Sequence, residues 1–228
     1  MSSQTRHNPS ASGLDIDVID HIQTLLRDQY EEDPDGLTLL KELIQNADDA
    51  EAISMGFGYS HGIREANHPL LQCPAFFIIN NGPFDENNDK GIRKLGPSAK
   101  ADDMDAIGRF GLGMKSIFHW CEAFVYLDSP GEFLQLVNPL GDEHGDWNLE
   151  WVEASNNAET ALRKHFAMPI KKMSTRSSTD TWFLLWIPLR QKAHISDSRS
   201  IDQMIPGDKP KGIISAPTTA RKLLVRQY

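Results

Sequence analysis

Glu42-Leu43-Ile44-Gln45-Asn46-Ala47-Asp48-Asp49-Ala50 is the stretch that most restricts the fold and function of this chain. At about 100° per residue, the helix that it predicts carries Glu42, Asn46 and Asp49 on one face. The adjoining flank is apolar, so this helix can pack on a core while it presents two acids and an amide to a ligand. The alternative is an amphipathic helix whose polar face meets only water. The apolar flank consists of Leu39, Leu43, Ala47 and Ala50.

The composition is that of a globular, acidic protein. Its 228 residues, 39% of them hydrophobic, suffice for one domain with a sizeable core. A net charge of -9 argues against a general binder of nucleic-acid backbones. Cys73 and Cys121 lack metal-site spacing, which is typical of free thiols in a reducing compartment. With neither a signal peptide nor a membrane span in the sequence, we expect a cytoplasmic protein that binds neither membranes nor nucleic acid directly.

The hydrophobic pattern predicts helices and strands separated by turns. Helices are predicted near residues 15–30, 37–52 and 158–166. Residues 85–107 are polar and predict a long mobile connection. The later strands look antiparallel, because short turns containing proline or glycine separate them. Strands are predicted near residues 54–59, 75–79, 124–127, 133–137, 147–152 and 182–188.

A glycine-rich segment precedes an apolar stretch in the middle of the chain. Glycines at 108, 111 and 113 let backbone N–H groups approach an anion, and a helix start adds positive dipole there. Lys115 is placed to add a full charge. The segment therefore predicts a phosphate cradle, although the spacing is not that of a Walker loop and a tight packing turn is the alternative.

Polar side chains at two places in the chain are candidates for contacts with a triphosphate or another ligand. Mg²⁺ accompanies triphosphates and prefers oxygen ligands, and Asn46 supplies such an oxygen. Glu42, one helical turn earlier, is placed to orient and deprotonate an attacking water, unless it is a surface charge. Asn80 and Asn81 follow the apolar run that ends near residue 79, where they form a turn or contact a ligand.

The order of these motifs resembles that of the GHKL ATPases, which include gyrase, heat-shock chaperone, histidine kinase and mismatch-repair proteins. The likeness covers about residues 15–190 and is greatest for the sacsin-like branch of heat-shock-chaperone ATP domains. It implies an α/β (α+β) two-layer sandwich, the Bergerat fold, with a mixed, mainly antiparallel sheet and helices on one face. The segments that carry it are Leu39 to Ala50, Gly91-Ile92-Arg93 and Gly108 to His119.

The resemblance also implies roles for individual residues. Glu42 would be the catalytic base and Asn46 the Mg²⁺ ligand, with Asp49 and Ala50 supporting the bound nucleotide. Asn81 would replace the family's aspartate that accepts a hydrogen bond from the amino group of adenine. The remaining nucleotide contacts would come from a lid, a phosphate loop and a late strand, namely Ser98, Lys100, Gly108, Arg109, Phe110, Gly111, Leu112, Gly113, Lys115 and Thr181.

The function implied by the resemblance is Mg²⁺-dependent ATP binding with slow hydrolysis, used as a conformational switch in a chaperone-like or sacsin-like protein. The alternative is a nucleotide-gated protein-interaction module that does not hydrolyse. Asn81 favours this alternative and leaves the base preference open, because an asparagine keeps one acceptor but adds an NH₂ donor.

The predicted ATP domain spans residues 14–190, between a flexible N-terminus at 1–13 and a C-terminal extension at 191–228. In larger relatives a following domain adds a phosphate-sensing basic residue. We therefore expect residues 191–228 to begin a missing domain, or a protein partner to replace it. A nucleotide-dependent dimer is a further expectation.

Overall fold

The computed structural model describes residues 11–12, 37–93, 114, 117–118, 120–139, 145–176 and 180–189. The strands in these ranges are β1 (Ala11–Ser12), β2 (Met55–Ser60), β3 (Ala75–Asn80), β4 (Phe124–Asp128), β5 (Leu134–Val137) and β6 (Phe183–Pro188). The helices are α1 (Leu37–Asp49), α2 (Pro69–Gln72), α3 (Glu86–Arg93), α4 (Gly145–His165) and α5 (Ala167–Ser174). The helix predicted at 15–30 lies outside the described residues.

The strands form one sheet in the order β1-β5-β4-β6-β3-β2. All neighbours pair antiparallel except β1, which lies parallel to β5. Strand β6 is the last of the described strands in sequence but lies between β3 and β4, so pairing between distant segments forms the middle of the sheet. The α+β class with a mixed, mainly antiparallel sheet is therefore confirmed.

Helices cover both faces of this sheet, whereas the sequence predicted helices on one face. Alternate side chains of β3 enter different cores: Phe76 and Ile78 pack with residues of α1, while Ala75 and Ile79 pack with residues of α4 and α5. A strand that is apolar at every position needs a cover on each side. The continuous apolar runs of β3, β4 and β6 account for the second helical layer.

Helix α3 occupies part of the segment that was predicted to be a mobile connection. Its start is capped reciprocally, because the Asp85 side chain accepts from the Asn88 N–H while the Asn88 side chain accepts from the Asp85 N–H, both at 2.9 Å. Two pairs at i, i+4 spacing support the helix, Lys90 with Glu86 and Arg93 with Asp89. The prediction was wrong for residues 86–93 because polar pairs, rather than apolar periodicity, hold this helix.

Helix α4 replaces the strand that was predicted near residues 147–152. Trp151 and Val152 favour a strand by residue type. However, Trp151, Ala154 and Ala158 are all buried on one side of a 21-residue helix. The predicted helix at 158–166 is the second half of α4, and the strand prediction was wrong because the helical periodicity continues across both segments.

No helix in the described ranges combines the length and the apolar character that a bilayer crossing requires.

Candidate functional site

A cleft opens between α1, the end of β3 and α3, with β6 at its base. It encloses about 490 Å³ of empty space, counting the open solvent at its mouth, but the centre of a water molecule can reach only about 40 Å³ of this. The cleft is therefore a narrow slot. Its described lining consists of Leu43, Asn46, Ala47, Ala50, Ile78, Asn80, Pro83, Phe84, Asn88, Ile92, Met114, Phe183 and Leu185.

Helix α1 faces the cleft with the boundary between its apolar flank and its polar face. Leu43 and Ala47 are buried, and Asn46 and Ala50 line the cleft beside them. The amide nitrogen Nδ2 of Asn46 is buried and has no hydrogen-bond partner among the described residues. An enclosed amide N–H without an acceptor costs about 1–3 kcal/mol of stability. This is expected where a ligand supplies the missing acceptor.

The two acids predicted on the same helical face lie differently from Asn46. Glu42 is half-buried one turn before Asn46, and Asp49 is exposed at the last residue of α1. Neither belongs to the described lining of the cleft. The structure thus brings Asn46 and Ala50 to the cleft and leaves Glu42 next to it.

Asn80, the last residue of β3, forms part of the cleft wall. Its Oδ1 accepts a hydrogen bond of 2.9 Å from the N–H of Gly82, a turn in which the side chain fixes the backbone two residues on. Rotating the amide by 180° would set its NH₂ against the buried Gly82 N–H, at a cost of about 1–3 kcal/mol. The oxygen of Asn80 is therefore committed to the backbone.

Gly82 brings this turn into direct contact with α1. A Cβ at Gly82 would lie 2.7 Å from the Ala50 backbone oxygen and 2.9 Å from the Ala50 Cβ. Both distances are shorter than atoms tolerate. Gly82 thus holds Asn80 and Ala50 on adjacent walls of the cleft.

Asn81 is turned away from the described lining. Its Oδ1 accepts from the Ser54 N–H at 2.8 Å, and its buried Nδ2 has no partner among the described residues. The backbone oxygen of Asn81 accepts a 3.2 Å hydrogen bond from the Thr181 hydroxyl. The structure therefore brings Asn81 and Thr181 together through the backbone, one residue beyond the cleft.

The α3 wall is fixed from below by a buried acid. Asp89 has no exposed surface, and its carboxylate accepts from the Tyr126 hydroxyl at 2.6 Å and from Arg93. Burial, and then the hydrogen bond to Asp89, raise the pKa of Tyr126 above its ordinary value. Because the phenol keeps its proton, it remains a donor, and this pairing holds the neighbouring Asn88 and Ile92 at the cleft.

The base of the cleft is aromatic. The rings of Phe84 and Phe183 stack with centroids 4.5 Å apart and planes 17° apart, and both line the cleft. Phe133 and Tyr126 pack against Phe84 from behind. Flat apolar walls of this kind suit a flat ring in the ligand.

A second buried carboxylate lies on the strand behind these rings. Asp128 is 1% exposed, and its Oδ1 accepts from the Phe133 N–H at 3.0 Å. Its Oδ2 is buried without a partner among the described residues. Burial raises the pKa of the Asp128 carboxyl above the ordinary value, with a smaller opposing effect from that hydrogen bond.

The predicted lid and phosphate loop lie outside the described residues. These are Ser98, Lys100, Gly108, Arg109, Phe110, Gly111, Leu112, Gly113 and Lys115. Met114, within the same segment of sequence, is described; it is buried and lines the cleft. One position of the glycine-rich segment therefore lies at the cleft that Asn46 lines.

Comparison with known proteins assigns the family. The model of the sacsin domain matches residues 16–209. This chain belongs to the sacsin-domain family. Human sacsin is 36% identical to it over 108 residues, which make up 45% of this chain and 2% of the human protein. The chain thus corresponds to a small part of a much longer relative.

Two polar residues in the described lining of the cleft, Asn80 and Asn88, were not among the predicted site residues of this sacsin domain. Asn80 was considered only together with Asn81 as part of the turn, because the strand was predicted to end at residue 79, whereas β3 includes Asn80. Strand alternation puts Asn80 on the face of Phe76 and Ile78, and that signal was available in the sequence. Asn88 was overlooked because its segment was predicted to be a loop.

Proposed function

We propose that this sacsin domain binds a nucleoside triphosphate with Mg²⁺ in the cleft between α1, β3 and α3. By resemblance to the GHKL ATPases the nucleotide would be ATP, hydrolysed slowly so that binding and release switch the conformation of the protein. The observation that carries the proposal is Asn46, whose enclosed amide nitrogen has no partner among the described residues while the residue lines a slot with an aromatic base.

The residues of the cleft fit the two halves of such a ligand. The stacked pair Phe84 and Phe183 gives an apolar base for a flat ring. Met114 links the cleft to the glycine-rich segment, which is the predicted phosphate cradle. We propose that the ring of the nucleotide lies against Phe84 and Phe183 and that its phosphates contact the glycine-rich segment.

The side chain of Asn46 fits the ligand chemistry of Mg²⁺. Its amide oxygen is a neutral oxygen donor, and Mg²⁺ takes one or two protein oxygens beside water and phosphate oxygens. Asn46 would hold the ion, which would neutralise charge on the phosphates. The carboxylate of Glu42, one turn away on α1, would accept the proton of the attacking water.

Substitution of Glu42 tests the hydrolytic half of the proposal. We expect Glu42→Ala to reduce ATP hydrolysis by about a hundredfold or more, because general bases contribute 10²–10⁴-fold. ATP affinity should change less than about threefold, because the proton acceptor adds little to ground-state binding. Asp48→Ala is the matched control, since Asp48 is an exposed acid of the same helix. Full hydrolysis in Glu42→Ala would refute the catalytic role.

The second candidate is a nucleotide-gated interaction module without hydrolysis. It is favoured by one observation, that Glu42 does not belong to the described lining of the cleft. Saturable nucleotide binding without measurable phosphate release in the wild-type domain would select this candidate. A partner or a second copy that responds to nucleotide would then be detected as a change in mass in solution when ATP is added.

A further inference from the structure

We propose that the cleft reads the base of its nucleotide with amide N–H donors and so favours a purine with an oxygen at position 6 over adenine. Asn80 is the residue that determines this preference. The inference rests on the proposed nucleotide function. It follows from which atoms of the asparagine side chains are already committed within the protein.

The polar side chains of the described lining are all asparagines. They are Asn46, Asn80 and Asn88, and the other described lining residues are apolar. No carboxylate is among them, so the side chains of this part of the cleft lack the acceptor that would suit the amino group of adenine. An asparagine can still offer an oxygen, and the question is whether that oxygen is available.

The oxygen of Asn80 is not available. It accepts the Gly82 N–H at 2.9 Å, and that buried donor fixes which way the amide faces. The NH₂ group of Asn80 has no partner among the described residues. Since Asn80 lines the cleft, this NH₂ group is the polar atom that it offers to a ligand.

Asn88 on the opposite wall is constrained in the same way. Its oxygen accepts the Asp85 N–H at 2.9 Å in the cap of α3, so its NH₂ group also remains for a ligand. The third asparagine, Asn46, has a buried Nδ2 without a partner among the described residues. Toward the base, the cleft therefore offers the amide donors of Asn80 and Asn88 beside apolar walls, while Asn46 is the residue proposed to hold Mg²⁺.

The surroundings of Asn80 identify the part of the nucleotide that it contacts. Asn80 pairs with Phe183 across β3 and β6, and Phe183 stacks on Phe84. No Lys or Arg belongs to the described lining. An aromatic, uncharged wall suits the ring of the base rather than a phosphate, so Asn80 faces the edge of the base.

The chemistry of the two purine classes gives the preference its direction. Adenine carries a donor, NH₂, at position 6, whereas hypoxanthine and guanine carry the acceptor O6. A donor in the protein pairs with O6 and opposes the adenine NH₂. Adenine remains a weaker ligand, because its ring nitrogens still accept hydrogen bonds.

Calorimetric titration with Mg²⁺ and ATP, ITP or GTP tests this inference, with ITP as the main comparison because it differs from ATP only at the edge of the base. We expect the wild-type domain to bind ITP more tightly than ATP. Asn80→Asp keeps the oxygen for Gly82 and replaces the donor by a charged acceptor. It should shift the ratio of the ITP and ATP dissociation constants about tenfold in favour of ATP, because one hydrogen bond to a charged group changes affinity by about that factor.

Asn87→Asp is the control. Asn87 is exposed on α3 and does not belong to the described lining, so this substitution adds the same charge away from the cleft. It should leave the ratio unchanged. ATP binding as tight as ITP or tighter in the wild type would overturn the base preference while the nucleotide function stands. An equal loss of ATP and ITP affinity in Asn80→Asp would also overturn it, because Asn80 would then face a phosphate. If no triphosphate binds the wild-type domain, the nucleotide function itself fails.

Discussion

The hydroxyl of Tyr126 donates a 2.6 Å hydrogen bond to Asp89, a carboxylate with no exposed surface. This bond joins the middle of the sheet to α3, the helix that supplies one wall of the cleft. The wall is thus positioned by a polar contact beneath it rather than by apolar packing alone. A buried acid at this point is tolerated because Tyr126 and Arg93 both donate to it.

Removal of the Tyr126 hydroxyl should destabilise the domain. In Tyr126→Phe the buried carboxylate of Asp89 loses a donor while the ring packing is retained, so we expect a loss of about 1–3 kcal/mol in unfolding free energy. Urea denaturation measures this change. Glu86→Gln removes one charge from an exposed ion pair of the same helix and should cost less than about 1 kcal/mol. Equal effects of the two variants would contradict the role given to the buried bond.

A methyl group at Gly82 should separate the β3 turn from α1. Gly82→Ala places a Cβ 2.7 Å from the Ala50 backbone oxygen, and overpacking of this kind costs about 1–3 kcal/mol. Gly56→Ala is the control, because its Cβ would meet the flexible end of Met173 at 3.3 Å and the Ile79 Cγ2 at 3.5 Å, and no backbone atom within 3.0 Å. Thermal denaturation and nucleotide titration of both variants test the contact. A Gly82→Ala protein with wild-type stability and affinity would show that the contact does not shape the cleft.

The stability of the domain should depend on pH through Asp128. Burial raises the pKa of this carboxyl above 3.8, so the folded state holds the proton more tightly than the unfolded state. The favourable contribution of the protonated acid is complete below the unfolded pKa and is lost as the pH rises through the folded pKa. Each unit of difference between the folded and unfolded pKa values corresponds to about 1.4 kcal/mol in the free energy of unfolding.

Asp128→Asn removes this dependence while it keeps an oxygen for the Phe133 N–H. We therefore expect the variant to gain stability relative to the wild type as the pH is raised from about 4 to about 7. Urea denaturation of both proteins at each pH measures the difference. A difference that stays constant, or that changes in the opposite direction, would show that the buried carboxyl does not titrate as described.

Much of the fold follows from local sequence patterns. Helix α1 and five strands of the sheet were predicted within a few residues of their observed bounds, because their apolar residues repeat with helical or strand character. Helix α3 was not predictable in this way, since Asp89 is buried through Tyr126, 37 positions away. For α4, the residue type of Trp151 favoured a strand, whereas the spacing of Trp151, Ala154 and Ala158 is that of a helix.

The candidate site was predictable only where one helix contains it. Asn46 and Ala50 lie at the cleft as the pattern of α1 indicates. The choice between Asn80 and Asn81 depends on where β3 ends, and strand ends are the least certain feature of a sequence prediction. The commitment of the Asn80 oxygen to Gly82 is a property of the folded turn.

The most direct test of the central claim is calorimetric titration of the wild-type domain, Asn46→Ala and Gln45→Ala with ATP and Mg²⁺. Gln45 is exposed beside Asn46 and does not belong to the described lining. We expect saturable binding at one site, at least about tenfold weaker in Asn46→Ala or after Mg²⁺ is removed, and unchanged in Gln45→Ala. Equal affinity in all three proteins, or no binding to the wild-type domain, would contradict the account.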